Sequence, residues 1–229
     1  MMASPGKKTN WFAIIISIVV VVAVVGVGAL VVTMNNAASA PAAAPADGVV
    51  NEDTGGISLG EGADVIEEYV DFMCPYCGQY WDGYSEYVSE KVSSGDATLV
   101  IHPISILDNA SMGTQYSTRA ASAAYCVAES NPEAFYPYVD KLFANQPAES
   151  TEGLTDDQLA DYASQVGAGD AASCIADGEY MDYVTEKTQD TPIAEGATGI
   201  STPTIVVNGE MVSLTFSGPE TDLAPLLTQ

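Results

Sequence analysis

Sorted by polarity, the chain falls into an unbroken apolar block, a run of small residues, and a longer region where short apolar runs alternate with helical periodicities. Trp11 to Val32 is 22 residues without a charge, rich in Val and Ile. At about 1.5 Å per residue a helix of that length covers roughly 33 Å, enough to cross a bilayer core. Lys7 and Lys8 precede the block and the next basic residue is Lys91. The positive-inside rule therefore predicts residues 1–10 in the cytoplasm, a transmembrane anchor over 11–32, and the rest of the chain outside. A cleaved signal peptide is the alternative. Its apolar core is ordinarily about 7–15 residues, and the small-residue site Ala38-Ser39-Ala40 runs into Pro41, a poor position for cleavage. From Thr33 to Gly60 the chain is mostly Ala, Pro, Gly, Asn and Ser without a period, which predicts a flexible tether over 33–60.

Residues 61–229 carry the pattern of an α/β domain. The β-branched and aromatic run around Val65–Asp71 predicts a strand. After Cys77, Trp81, Tyr84, Tyr87, Val88 and Val92 recur at helical spacing to about Ser93, and Ala97–His102 predicts a second strand parallel to the first. From about 111 to 195 the pattern is almost entirely helical. Asn131-Pro132 supplies a cap and a first-turn proline, Pro137 should kink the helix that follows or confine its start, and Thr155 to Gln158 is a capping box. Strand character returns at Thr204–Val207 and at Glu210–Leu214. Asn208-Gly209 between them is a strong hairpin signal, and Pro219–Leu227 suits a closing helix.

Charge narrows the partners. Acidic residues number 31 against 6 basic ones, and beyond the apolar block only four basic residues face all of the acidic ones. A surface of that sign disfavours nucleic acid and anionic lipid as partners.

The chemistry concentrates at Cys74-Pro75-Tyr76-Cys77, between the first strand and its helix. Zinc would require two further ligands at short spacing, but Cys126 and Cys174 are distant and His102 is the single histidine, so no metal and no cofactor is expected. A bridge closing so short a loop stabilises little. What remains is a redox dithiol, and a helix N-terminus favours its thiolate. In an exported domain the even cysteine count favours a structural disulfide between Cys126 and Cys174, the alternative being two free buried thiols.

Phe72-Met73-Cys74-Pro75-Tyr76-Cys77, the helical insert and Gly199-Ile200-Ser201-Thr202-Pro203-Thr204 together resemble the DsbA-like thiol–disulfide oxidoreductases of the thioredoxin superfamily, over about Ile57 to Gln229. The resemblance implies a thioredoxin fold with an inserted helical domain, preceded here by the membrane helix and tether. It also implies a cis bond before Pro203, with Thr202 beside Cys74 offering its backbone to a substrate strand. Glu68, six residues before Cys74, matches a buried carboxylate that moves protons for the inner cysteine; the alternative is a solvated strand carboxylate like its neighbour Glu67. Asp71 is a weaker candidate for that task, and His102 is expected to be structural. Tyr76 is a departure, because strongly oxidising members carry histidine there. Without that cation a milder potential is expected, between DsbA at roughly −120 mV and thioredoxin at about −270 mV. The implied activity is disulfide formation in exported proteins with cysteine thiols. Reoxidation would come from a membrane protein of the DsbB or vitamin-K-epoxide-reductase kind. A reductase or isomerase, and a non-catalytic binding module, are the alternatives.

Overall fold

The computed structural model describes residues 42–228 apart from residue 52, together with Trp11, residues 22–23 and residues 25–28. Those few N-terminal residues are helical and exposed. The remainder of the predicted anchor lies outside the described residues, and among the described residues no helix is long and apolar enough to cross a membrane.

The compact unit begins at Ala42. Its centre is strand β2 (Asp64–Val70), which pairs in parallel with β3 (Ala97–Pro103), Glu68 standing opposite Ile101. Helix α1 (Pro75–Ser93) makes the crossover between them and buries Cys77, Tyr80, Trp81, Tyr84 and Val88. These positions repeat every three or four residues, so one stripe of the helix faces the sheet. On the other side of β2 lies β4 (Thr204–Val207), antiparallel, with Tyr69 opposite Thr204. Asn208 and Gly209, both at positive φ, turn the chain into β5 (Glu210–Met211). A two-residue loop of this hand matches the twist of its strands, which is why Asn-Gly suits it. The predicted second strand ends three residues early, at Met211 rather than Leu214, although the Val212 N–H still donates to the Ile205 carbonyl at 2.8 Å.

A fifth strand, β1 (Ile57–Leu59), runs antiparallel to β3 and completes the order β1-β3-β2-β4-β5. It overturns the tether drawn to Gly60. Ile57 is buried opposite Ile101, and Val49 and Val50 pack against the core. Backbone groups upstream are held as well: Ala46 N–H donates to Glu129, and the Gly55 carbonyl accepts from the Tyr125 hydroxyl. Apolar burial and long-range hydrogen bonds thus carry the domain boundary back to Ala42.

Between β3 and β4 come helices α2 (Tyr116–Ser130), α3 (Pro132–Ala144), α4 (Asp156–Gln165), α5 (Ala172–Asp177) and α6 (Met181–Thr188). Asn131 caps α3 by accepting from Glu133 N–H, and Thr155 with Gln158 forms the expected capping box of α4. Pro137 neither starts nor ends α3. It sits inside the helix on the exposed side, where water can satisfy the carbonyl its missing N–H leaves free. Helix α2 is buried nearly all round because Ala, Ser and Thr let neighbouring helices approach it closely. A disulfide joins Cys126 of α2 to Cys174 of α5. Insert and sheet share one core, in which Ile66, Val70 and Leu99 belong with Tyr116, Phe135 and Leu142. The chain closes with α7 (Pro219–Asp222) and a 3-10 turn at Ala224–Leu226, a broken version of the single helix expected there.

Candidate active site

Cys74 is the N-cap of α1, with φ −72° and ψ 117°, and Pro75 occupies the first turn. Proline is suited to that position because its missing N–H would have no helical partner. The extended cap conformation turns the Cys74 side chain back over the first turn, next to Cys77. Both thiols are free and buried, whereas Tyr76 between them is 62% exposed.

The two sulfurs have opposite tendencies. The Cys77 thiol donates to Cys74, and that bond is the main cause holding the Cys74 thiol down at about 6. Burial works against it. The Thr202 side chain and the N–H groups of Cys77 and Tyr76 reinforce it. The Thr202 hydroxyl is buried, with no partner at regular hydrogen-bond distance among the described residues. Cys77 is pushed well up, first by burial and then by its bond to Cys74. One sulfur is thus a thiolate near neutrality while the other keeps its proton. Alkylation of the reduced protein by iodoacetamide should follow a single titration with a midpoint near pH 6, against 9.0 for an unperturbed thiol. A midpoint above 8 would contradict this geometry.

Opposite the dithiol, the Thr202–Pro203 bond is cis, and the Thr202 carbonyl accepts from Cys74 Sγ at 3.4 Å. The structure thus brings Cys74, Cys77, Thr202 and Pro203 together across 128 residues of sequence. Thr204, which follows, is paired into the sheet, so the loop is anchored at one end.

Glu68 is buried in the middle of β2. Its Oε1 accepts from the Tyr80 hydroxyl at 2.8 Å, while its Oε2 is buried without a partner among the described residues. Burial pushes this carboxyl up to about 7, against the pull of the Tyr80 hydroxyl. Tyr80 lies three residues after Cys77, so both occupy the sheet-facing stripe of α1. Asp71 differs. Burial pushes it up too, but Met73 N–H, Ser117 Oγ, Ile106 N–H and Leu107 N–H all donate to it at 2.7–2.9 Å. With both oxygens so engaged, Asp71 is a clamp on the loop that carries Cys74. His102 lies flat on Tyr69, ring centres 4.0 Å apart, with Nε2 3.2 Å from Glu67; these contacts are structural.

Three residues at the site carry no signal in the sequence. Tyr80 reads as one more apolar helix position until its hydroxyl is seen on Glu68. Phe216, at φ 56°, sets its ring 6.2 Å from Tyr76, in a segment whose Thr215 is bonded to Asp222. Gln146 donates from Nε2 to the carbonyls of Phe72 and Cys74.

The chain is similar to known proteins in sequence and fold. Residues 54–221 match the family model described as Thioredoxin. The solved structure of DsbA from Mycobacterium tuberculosis in its oxidised form is similar, at 30% identity and a TM-score of 0.61, over 70% of this chain and 86% of that one. A disulfide bond oxidoreductase (DsbG) from the same organism gives 30% identity and 0.61, over 74% and 85%. The thiol-disulfide oxidoreductase MdbA from Corynebacterium diphtheriae shares the fold, with a TM-score of 0.62 at 22% identity over 73% and 88%. Among curated proteins, 155 residues are 34% identical to part of the serine/threonine-protein kinase PknE of M. tuberculosis; they make up 64% of this chain, which spans 27% of that protein's length.

Proposed function

Because this chain belongs to the DsbA-like thiol–disulfide oxidoreductases of the thioredoxin superfamily, we propose that it is a membrane-tethered oxidase that forms disulfides in exported proteins, with Cys74 as the reacting sulfur. The observation that carries the reading is the asymmetry of the dithiol: a thiolate-prone Cys74 on the helix cap, against the Thr202 carbonyl, and a protonated Cys77 behind it.

In the oxidised enzyme a substrate thiolate attacks Cys74 Sγ. The Cys74–Cys77 bond breaks and Cys77 leaves as a thiolate, which takes up a proton. The resulting mixed disulfide joins substrate to Cys74. A second substrate thiolate then attacks the substrate sulfur, and Cys74 departs as a thiolate, for which its low pKa suits it. Two electrons have passed to the enzyme, leaving a substrate disulfide and the Cys74/Cys77 dithiol. Thr202 and Pro203 line the approach to Cys74, and the Thr202 backbone would pair with an extended substrate segment. Glu68, a carboxyl with a pKa near neutrality, is assigned the proton that Cys77 takes up on leaving and gives up again when the dithiol is reoxidised. Reoxidation passes the two electrons on to a membrane acceptor of the DsbB or vitamin-K-epoxide-reductase kind.

Tethering rests on the sequence of residues 11–32 and the lysines before them. An anchored enzyme of this kind works on thiols near the membrane, beside its reoxidising partner.

The direction of electron flow decides between this reading and a reductase. Stabilising the Cys74 thiolate stabilises the reduced form and so makes the disulfide more oxidising. Equilibrating the protein with glutathione mixtures should place its potential between roughly −120 and −270 mV, nearer the first value. A potential at or below that of thioredoxin would favour the reductase.

A further inference from the structure

We propose that Gln146 is a positioning residue of the dithiol: its side-chain amide ties the Phe72 and Cys74 carbonyls and so holds Cys74 in place on the helix cap for exchange. This rests on Cys74 being the reacting sulfur.

Gln146 lies in the middle of the insert, just past the end of α3. Its backbone N–H donates to the Phe143 carbonyl at 3.1 Å, which keeps it on the last turn of α3. Phe143 in turn packs its ring against Phe72 at 5.2 Å and Trp81 at 5.1 Å, so the end of α3 is seated against the active-site loop and α1. From there Nε2 reaches the Phe72 carbonyl at 3.2 Å and the Cys74 carbonyl at 2.9 Å. The amide has one sensible orientation, since the reverse would press Oε1 against two carbonyl oxygens.

The Cys74 carbonyl also accepts the Gly78 N–H at 3.1 Å, the first helical bond of α1. With Gln146 added, the carbonyls on both sides of Met73 are fixed, and neither peptide of the loop can rotate freely. Sγ is therefore held where the N–H groups of Tyr76 and Cys77 reach it. Asp71 secures the same loop from the N–H side through Met73. Without Gln146 the Phe72 carbonyl would lose this donor and the Cys74 carbonyl would keep only the Gly78 N–H.

Gly78 supplies an independent observation. Glycine is a poor choice inside a helix, yet a Cβ built here would meet Gln146 Oε1 at 2.4 Å. The absence of a side chain at Gly78 is what lets the amide lie against the first turn. A methyl group there would push the flexible Gln146 side chain off its carbonyls while leaving the helix at least as well formed.

The test uses the full chain, reduced, in three forms: the natural sequence, Gln146→Leu and Gly78→Ala. Iodoacetamide rates across pH give the Cys74 midpoint, glutathione equilibration gives the potential, and thermal melts establish that each form is folded. Both variants should raise the midpoint by about half a pH unit or more, lower alkylation at acidic pH by about threefold, and make the disulfide less oxidising. Combining them should add little to either alone. A folded variant that titrates and equilibrates like the natural sequence overturns the proposal. If Gln146→Leu does not fold, Gly78→Ala decides the matter by itself. Failure of the natural protein to titrate below the ordinary thiol range would instead defeat the reading of Cys74 as the reacting sulfur.

Discussion

Replacing Cys74 with serine should reduce catalysed disulfide formation in a reduced substrate to the background rate, a loss of at least about a thousandfold. A serine hydroxyl cannot form the mixed disulfide, and no other free cysteine is placed to substitute, since Cys77 is buried behind Cys74 and Cys126 is bonded to Cys174. Cys77→Ser should fail differently. Its Cys74 thiolate can still attack a substrate disulfide, displacing one substrate sulfur as a thiolate, but no internal thiol is left to release it, so mixed disulfides through Cys74 should accumulate and be visible by mass spectrometry under non-reducing conditions. Retention of activity in Cys74→Ser, or equal trapping by both variants, would remove Cys74 from its assigned role.

The second large effect concerns Glu68, in both stability and rate. In the unfolded chain this carboxyl loses its proton near 4.5, whereas in the fold burial keeps it protonated to about 7. Between those values the native state binds more protons than the unfolded one, so stability falls as pH rises through that window and levels off above it. The gap corresponds to about 3 kcal/mol. Glu68→Gln keeps an oxygen for the Tyr80 hydroxyl and cannot ionise. It should therefore be more stable than the natural protein by about that amount at pH 8, with little difference at pH 4.5. Urea melts at the two pH values measure this directly; parallel stability curves would mean that Glu68 is not a buried titrating group. The same substitution removes the proposed proton acceptor for Cys77. The step in which Cys77 ionises should slow on the order of a hundredfold, while Cys74 alkylation at pH 7 should change little. A variant both more stable and slower is what a functional buried carboxylate implies; one that is more stable and equally fast would leave Glu68 without a role in exchange.

The local features were legible because their causes are local. Helical spacing after Cys77, the Asn131 cap, the Thr155 capping box and the Asn208-Gly209 turn each depend on residues within a few positions, and each stands where the pattern put it. The dithiol is likewise a short motif. The Thr202-Pro203 loop was legible only as a resemblance, since nothing in its own residues says that it faces Cys74.

Other features depended on the packed sheet. Ile57–Leu59 is too short and too closely flanked by glycines to announce a strand; it becomes one because β3 offers an open edge and Ile57 has a core to enter. Glu67 and Glu68 are alike as sequence, but neighbours on a strand point to opposite faces. The position of α1 makes one of them a half-exposed partner of His102 and the other a buried acid on Tyr80. Gln146 lies 72 residues from Cys74, and only the seating of α3 against the loop brings it there.

The chain's own order of residues thus determined that a Cys-x-x-Cys pair would sit at the start of a helix in an α/β domain with a helical insert. Which carboxylate is buried, which carbonyl touches the sulfur, and where the domain begins were decided by tertiary structure. Burial and long-range hydrogen bonding are properties of the assembled core, and no window of sequence contains them.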